Sequence, residues 1–217
     1  MGVTKSPLLV IDSGLGNVRS VSNAFKRIGE KVHLEPDAPS LEDIDRYALV
    51  VLPGVGSFDR GIMNLRERGW SNWLRAASKN QLPILGLCLG MQLLCEGSAE
   101  GLQNGLGIIP GKFKRFETTV DRGQRLKVPH MGWNYVQFDH NRAPWSGDPT
   151  RPKRFYFVHS FHLPGQDADF AVGWTTYGRP FTSAIAMNRV IGLQFHPEKS
   201  HRFGTELLRG IVDWARA

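Results

Sequence analysis

The chain has 217 residues, 41% of them hydrophobic, which suits one domain with a sizeable core and excludes a disordered or fibrous protein. Its formal charge of +7 favours anionic partners, yet the 27 lysines and arginines are scattered apart from short clusters such as "RPKR" (151–154), an arrangement that disfavours nucleic-acid binding. Two cysteines cannot build a disulfide framework, and the N-terminal sequence has neither a signal-peptide pattern nor a bilayer-length apolar run, so a cytoplasmic protein is expected.

In chain order, "LLVIDSG" reads as a buried strand ended by a polar turn. Val18, Val21, Phe25 and Ile28 then fall at helical spacing until Gly29 stops the pattern. "YALVVLPG" (Tyr47 to Gly54) is a second strand, followed by a helical stretch from Phe58 to Asn80 with a break near Gly69. "LPILGLCLGMQLLCEG" repeats the strand–helix unit. This alternation predicts an α/β fold with a mostly parallel central sheet flanked by helices on both faces. Ligands on such sheets sit at the carboxyl ends of the strands, so the junctions at Asp12, Gly54 and Cys88 should meet at one edge. From about Lys112 the pattern changes to short alternating segments, "KFKRFETTV", "LKVPHMGWNYVQF", "RFYFVHSFHL" and "FTSAIAMNRVIGLQFH", which predict antiparallel strands in the C-terminal half. Leu207, Leu208, Ile211, Val212 and Trp214 form the apolar stripe of a closing helix.

The chemistry centres on Cys88. A cysteine on an apolar run is ordinarily a small core residue. Here Gly86 and Gly90 flank it as G-x-C-x-G, the thiol counterpart of the nucleophile elbow, in which small neighbours let strand and helix pack closely around a strained turn. The turn also puts the side chain at a helix N-terminus, whose partial charge favours thiolate. A bridge to Cys95 fails on distance: seven helical residues rise roughly 10 Å, beyond the roughly 7 Å Cα limit. Cys95 is expected in the core.

A thiol nucleophile needs a base, and His196 ends the apolar strand "VIGLQFH" at the ligand-binding edge. Pro197 keeps His196 extended, and alternate residues of an extended segment share a side, so Glu198 is expected to bond the imidazole and hold its tautomer. His159 and His162 are three residues apart but have no further ligands at metal-site spacing, and no metal is assigned. His33, His140 and His201 are expected on the surface. The loop "PGVGSF" (53–58) offers backbone N–H groups that, with the N–H of Leu89, could stabilise a tetrahedral oxyanion.

Taken together, "PGVGSF", "GLCLGMQLL", "PHMGWN", "FYFVHS" and "QFHPEKS" resemble the class I glutamine amidotransferases, and within them the glutaminase subunits of imidazole glycerol phosphate synthases. The resemblance implies one amidotransferase domain over residues 1–217 that hydrolyses glutamine to glutamate and ammonia with no cofactor. It implies Cys88 as nucleophile, His196 as base, Glu198 as its orienting acid, and Gln92 as a residue that holds glutamine. Gly54, Val55 and Gly56 become the oxyanion strand, competent when a partner binds. Trp133, Tyr156 and Lys199 fall in motifs facing that partner, a (β/α)₈ barrel cyclase of histidine biosynthesis bound as a heterodimer. Alternatives are a paralogous glutaminase feeding a sugar amidotransferase of surface polysaccharide synthesis, a cysteine peptidase, and a non-catalytic basic binding module.

Overall fold

The computed structural model describes residues 6–119, 125–148, 150, 153–165 and 168–217; residues 151 and 152 of the "RPKR" cluster and Val120 of "KFKRFETTV" lie outside them. The first half alternates strand and helix: β1 (Leu8–Ile11), α1 (Val18–Arg27), β2 (Val32–Glu35), β3 (Leu49–Leu52), α2 (Phe58–Glu67), α3 (Trp70–Lys79), β4 (Ile84–Leu87) and α4 (Leu89–Leu94). The second half is mostly strands: β5 (Gly97–Ser98), β6 (Lys112–Arg115), β7 (His130–Phe138), β8 (Lys153–His159), β9 (Phe161–Pro164), β10 (Ala171–Tyr177), β11 (Arg179–Met187) and β12 (Val190–Leu193). Helix α5 (His201–Arg216) closes the chain.

The strands join in the order β2-β1-β3-β4-β12-β11-β10-β7-β8, with β9, β6 and β5 branching from β11. Pairing is parallel from β2 to β12 and antiparallel from β12 to β8. The expected division between a parallel half and an antiparallel half is therefore present. It falls at β12, the strand that leads into His196.

Period-two burial explains the layers. Leu8, Val10, Leu49, Val51, Leu85 and Leu87 pack with Val21 and Phe25 of α1 and Leu207, Leu208 and Ile211 of α5. Leu9, Ile11, Val50, Leu52 and Ile84 point the other way, into Ile62, Leu65, Trp70, Trp73 and Leu74 of α2 and α3. Strands apolar on both sides can be stable only with helices on both faces. Local signals set the helix ends: the Asn17 side chain accepts the Ser20 N–H at 3.1 Å to start α1, and Gly69, at φ +76°, separates α2 from α3 where a break was expected. Strand β2 was not anticipated. It lies at the sheet edge with one partner and only half-buried or exposed residues, so it has no apolar run to reveal it.

Register then positions the site. β4 and β12 are parallel neighbours with Leu87 opposite Leu193, and Leu52 of β3 lies opposite Gly86. The residues just beyond these strands, Gly54, Cys88 and Gln194 to His196, consequently emerge at one edge.

Candidate active site

Cys88 occupies the elbow with φ +52° and ψ −107°, a backbone conformation that costs a non-glycine residue on the order of 1–3 kcal/mol. Its N–H donates to Leu193 O at 2.7 Å, tying the turn to β12. The flanking glycines are required by space: a Cβ on Gly90 would stand 1.8 Å from Leu52 O, and one on Gly86 would stand 2.8 Å from the Gly90 carbonyl. Helix α4 has only six residues and Cys95, just after it, is already extended. The expected dipole contribution at the sulfur is accordingly that of a very short helix.

The sulfur is nearly covered, with Cys88 6% exposed. Its thiol faces Val158 O at 3.9 Å, and Gln194 Nε2 donates to the sulfur at 3.7 Å. His196 is 3% exposed and Glu198 Oε1 lies 2.8 Å from its Nδ1. The expected pair is there, but by another route: His196 is extended, whereas Glu198 belongs to a 3-10 turn over Pro197–Lys199. Ser200 Oγ, donating to His196 O at 2.6 Å, secures that turn. His196 Nε2 is buried with no hydrogen-bond partner within reach among the described residues, leaving it open toward the cysteine. Burial pulls the imidazole's pKa down, but the charge of the neighbouring Cys88, and then Glu198, outweigh it and raise the pKa to about 10.

Beside Cys88 lies a cavity of about 290 Å³ lined by Val55, Gln92, Glu100, Val158 and Phe161 among others. A larger hollow of about 670 Å³ between β7 and β10 contains none of Cys88, His196 and Glu198, so chemistry rather than volume selects the smaller one. Gln92 Nε2 donates to Gln194 Oε1 at 3.3 Å, while its own Oε1 is buried without a partner among the described residues. The Leu89 N–H expected in an oxyanion hole is engaged by Gly54 O at 3.3 Å. In this resting arrangement it is therefore not available to substrate. Gly56, at φ +108°, gives the Gly54–Gly56 loop a swivel point.

Trp133, Tyr156 and Lys199 also come together. The two rings lie 6.2 Å apart edge to face, and Lys199 Nζ stands 5.9 Å above Tyr156. Trp133 is 40% exposed and stacks on His201, and the Arg154 guanidinium lies 5.7 Å from its ring centroid. His201 is at the surface as expected. His33 and His140 are half-buried instead, His33 edge-on to Tyr47 and His140 bonded to Ser146 Oγ. His159 and His162 do not share a ligand: His159 bonds His130, while His162 stacks on Phe116.

Two site residues escaped the sequence reading. Gln194 follows the end of β12 at a bend, so no strand alternation signals that its side chain reaches Cys88. Glu100 reaches the cavity from a loop and accepts the Phe58 N–H at 3.0 Å; no local pattern signals a contact across 42 residues of chain.

Comparison with known proteins agrees with this geometry. The chain is 43% identical over 209 residues to the imidazole glycerol phosphate synthase subunit HisH 2 of Pseudomonas aeruginosa, covering 95% of this chain and 98% of the relative. It is 40% identical to the subunit of the same name from Methanococcus maripaludis, covering 96% and 100%. Among solved structures, a chain of PurLQS from Thermotoga maritima superposes with a TM-score of 0.76 at 19% identity, over 97% of this chain and 99% of that one. A family model described as glutamine amidotransferase class-I matches residues 9–213. With a strained Cys88 turn beside a buried His–Glu pair, and with these relatives and this family match, the chain belongs to the class-I glutamine amidotransferase family.

Proposed function

We propose that the chain is the glutaminase subunit of an imidazole glycerol phosphate synthase, making ammonia for a (β/α)₈ barrel cyclase in histidine biosynthesis. The observation that carries this reading is the strained Cys88 facing a histidine whose Nδ1 is held by Glu198 at 2.8 Å and whose Nε2 is unpartnered among the described residues. In the reaction, His196 Nε2 takes the thiol proton and Cys88 Sγ attacks the side-chain amide carbon of glutamine. His196 returns the proton to the departing nitrogen, releasing ammonia and leaving a glutamyl thioester. A water molecule, deprotonated by His196, then cleaves the thioester to glutamate and the free thiol. Gln92 holds the substrate amide from one turn after the nucleophile. Glu100 supplies a carboxylate for the α-amino group; burial raises its pKa, and a bound ammonium would reverse that effect.

The Gly54 carbonyl blocks the oxyanion site at rest. Catalysis requires it to turn away, so that the N–H groups of Leu89 and of Val55 or Gly56 can face the developing oxyanion. Docking of the cyclase on the surface formed by Trp133, Tyr156 and Lys199 supplies the energy for this turn. Exposed Met131 and Tyr135, at 62% and 57%, extend that surface in the aromatic-rich manner of a protein interface. Ammonia protonates in water and ceases to be a nucleophile, so the product must pass directly into the partner.

Reconstitution with a cyclase subunit tests the reading. Cys88→Ala should reduce glutamine-dependent synthesis by about a thousandfold or more while ammonium salts still support it. Glutaminase activity that survives the substitution would overturn the assignment, as would a complex that works on neither nitrogen source.

A further inference from the structure

Behind the nucleophile, two buried histidines and an asparagine form a chain that the reaction above does not use. Asn134 Nδ2 lies 3.3 Å from His130 Nε2; His130 Nδ1 lies 3.0 Å from His159 Nε2; His159 Nδ1 lies 2.8 Å from the Phe161 carbonyl oxygen. Its proton positions follow from its two ends. A carbonyl oxygen only accepts, so His159 carries its proton on Nδ1, and a neutral imidazole then has an acceptor at Nε2. His130 must therefore donate from Nδ1 and accept at Nε2. The asparagine is oriented to complete the series, because its Oδ1 accepts the Tyr135 N–H at 2.8 Å and its Nδ2 also donates to Thr176 O at 2.9 Å.

Both rings are neutral at physiological pH, since burial lowers His130 to about 4 and His159 to about 3. His130 is clamped between Tyr177 and Phe157, with ring centroids at 4.0 and 4.7 Å. The chain leads to the cavity wall: Val158, His159, Ser160 and Phe161 line the space beside Cys88, and Val158 O is the thiol's acceptor. It begins on β7, where His130 and Asn134 face inward while Met131, Trp133 and Tyr135 alternate outward.

We propose that Asn134, His130 and His159 are positioning residues, a hydrogen-bond chain of single direction that holds the Val158–Phe161 wall of the glutamine pocket to the strand carrying Trp133. The proposal rests on the reading of that cavity as a glutamine site. It is tested first by nitrogen-15 correlation spectra of the histidine rings in the full chain at pH 7, without substrate. Both His130 and His159 should appear as Nδ1–H tautomers; either ring found protonated on Nε2 overturns the relay, whatever the activity.

The second arm uses glutamine kinetics with the cyclase bound. His130→Phe keeps the aromatic sandwich but removes the donor, so His159 Nε2 becomes a buried acceptor without its partner and the ring is held only from the Phe161 side. KM for glutamine should rise about tenfold, with kcat changed much less and thermal stability lowered by the unmade buried hydrogen bond. His130→Asn places an amide N–H near the position of Nδ1 and should restore KM. A wild-type KM in His130→Phe would overturn the proposal, because the wall would then not depend on the chain. Loss of all glutaminase activity in the wild-type complex would count against the proposed function, while the spectra would still decide the relay.

Discussion

Cys88 and Cys95 are both buried free thiols, yet of the two Cys88 is the one beside the imidazole of His196. Cys88 meets an imidazole that gains a proton in its presence, whereas burial and the neighbouring Glu96 push Cys95 up to about 12. Brief treatment with iodoacetamide near pH 8 should therefore modify Cys88 and leave Cys95 untouched, as read by peptide mass spectrometry. Equal labelling of both would contradict the assignment. Glu198→Gln separates charge from shape at the other end of the pair. Removing the carboxylate lowers the His196 pKa and weakens its tautomer, so glutamine turnover should fall by at least about a hundredfold; an unchanged histidine titration in the variant would refute the coupling. Cys88, His196 and Glu198 were legible because each sits in a motif with its own local geometry. Glu100 was not, because its place in the cavity depends on how a distant loop packs.

Elements succeed or fail on how much of their packing is local. β1, β3 and β4 announce themselves as apolar runs since both faces are covered, and the α2–α3 break shows as a glycine. β2 makes no such announcement, and the Pro197–Lys199 turn was taken as extended because proline constrains the residue before it more than those after it. The β4–α4 elbow makes the sharpest demand, since the helix can start there only if Gly90 sits against Leu52 O. Gly90→Ala should cost about 3 kcal/mol or more, by overpacking against backbone that has no room to yield. Urea denaturation measures it, and a variant of wild-type stability would show that the strand–helix packing is looser than described.

Across the whole molecule, the buried histidines set a pH dependence that carboxylates alone would not. His130 and His159 have ordinary values of 6.5 when unfolded but about 4 and about 3 when folded, and burial lowers His162 as well. A falling pH therefore protonates the unfolded chain first. Stability is full above about 6.5 and is lost progressively as the pH drops toward the folded values, by about 1.4 kcal/mol per pH unit for each proton taken up. His196 has the opposite sign: with its pKa raised to about 10, its contribution is present below 6.5 and fades as the pH climbs, so it does not mask the acid limb. Asp59 and Asp139, lowered from 3.8 by backbone N–H groups and by Arg142 respectively, act only at lower pH, where carboxylates begin to protonate. Urea denaturation at pH 7, 6 and 5 should consequently show stability already falling with a slope of about two protons, before the carboxylates enter. His130→Phe should reduce that slope by about one proton, because a phenylalanine between Tyr177 and Phe157 titrates in neither state. A flat profile over this range would mean that the histidines are open to solvent, and the ordered chain behind the nucleophile would fall with it.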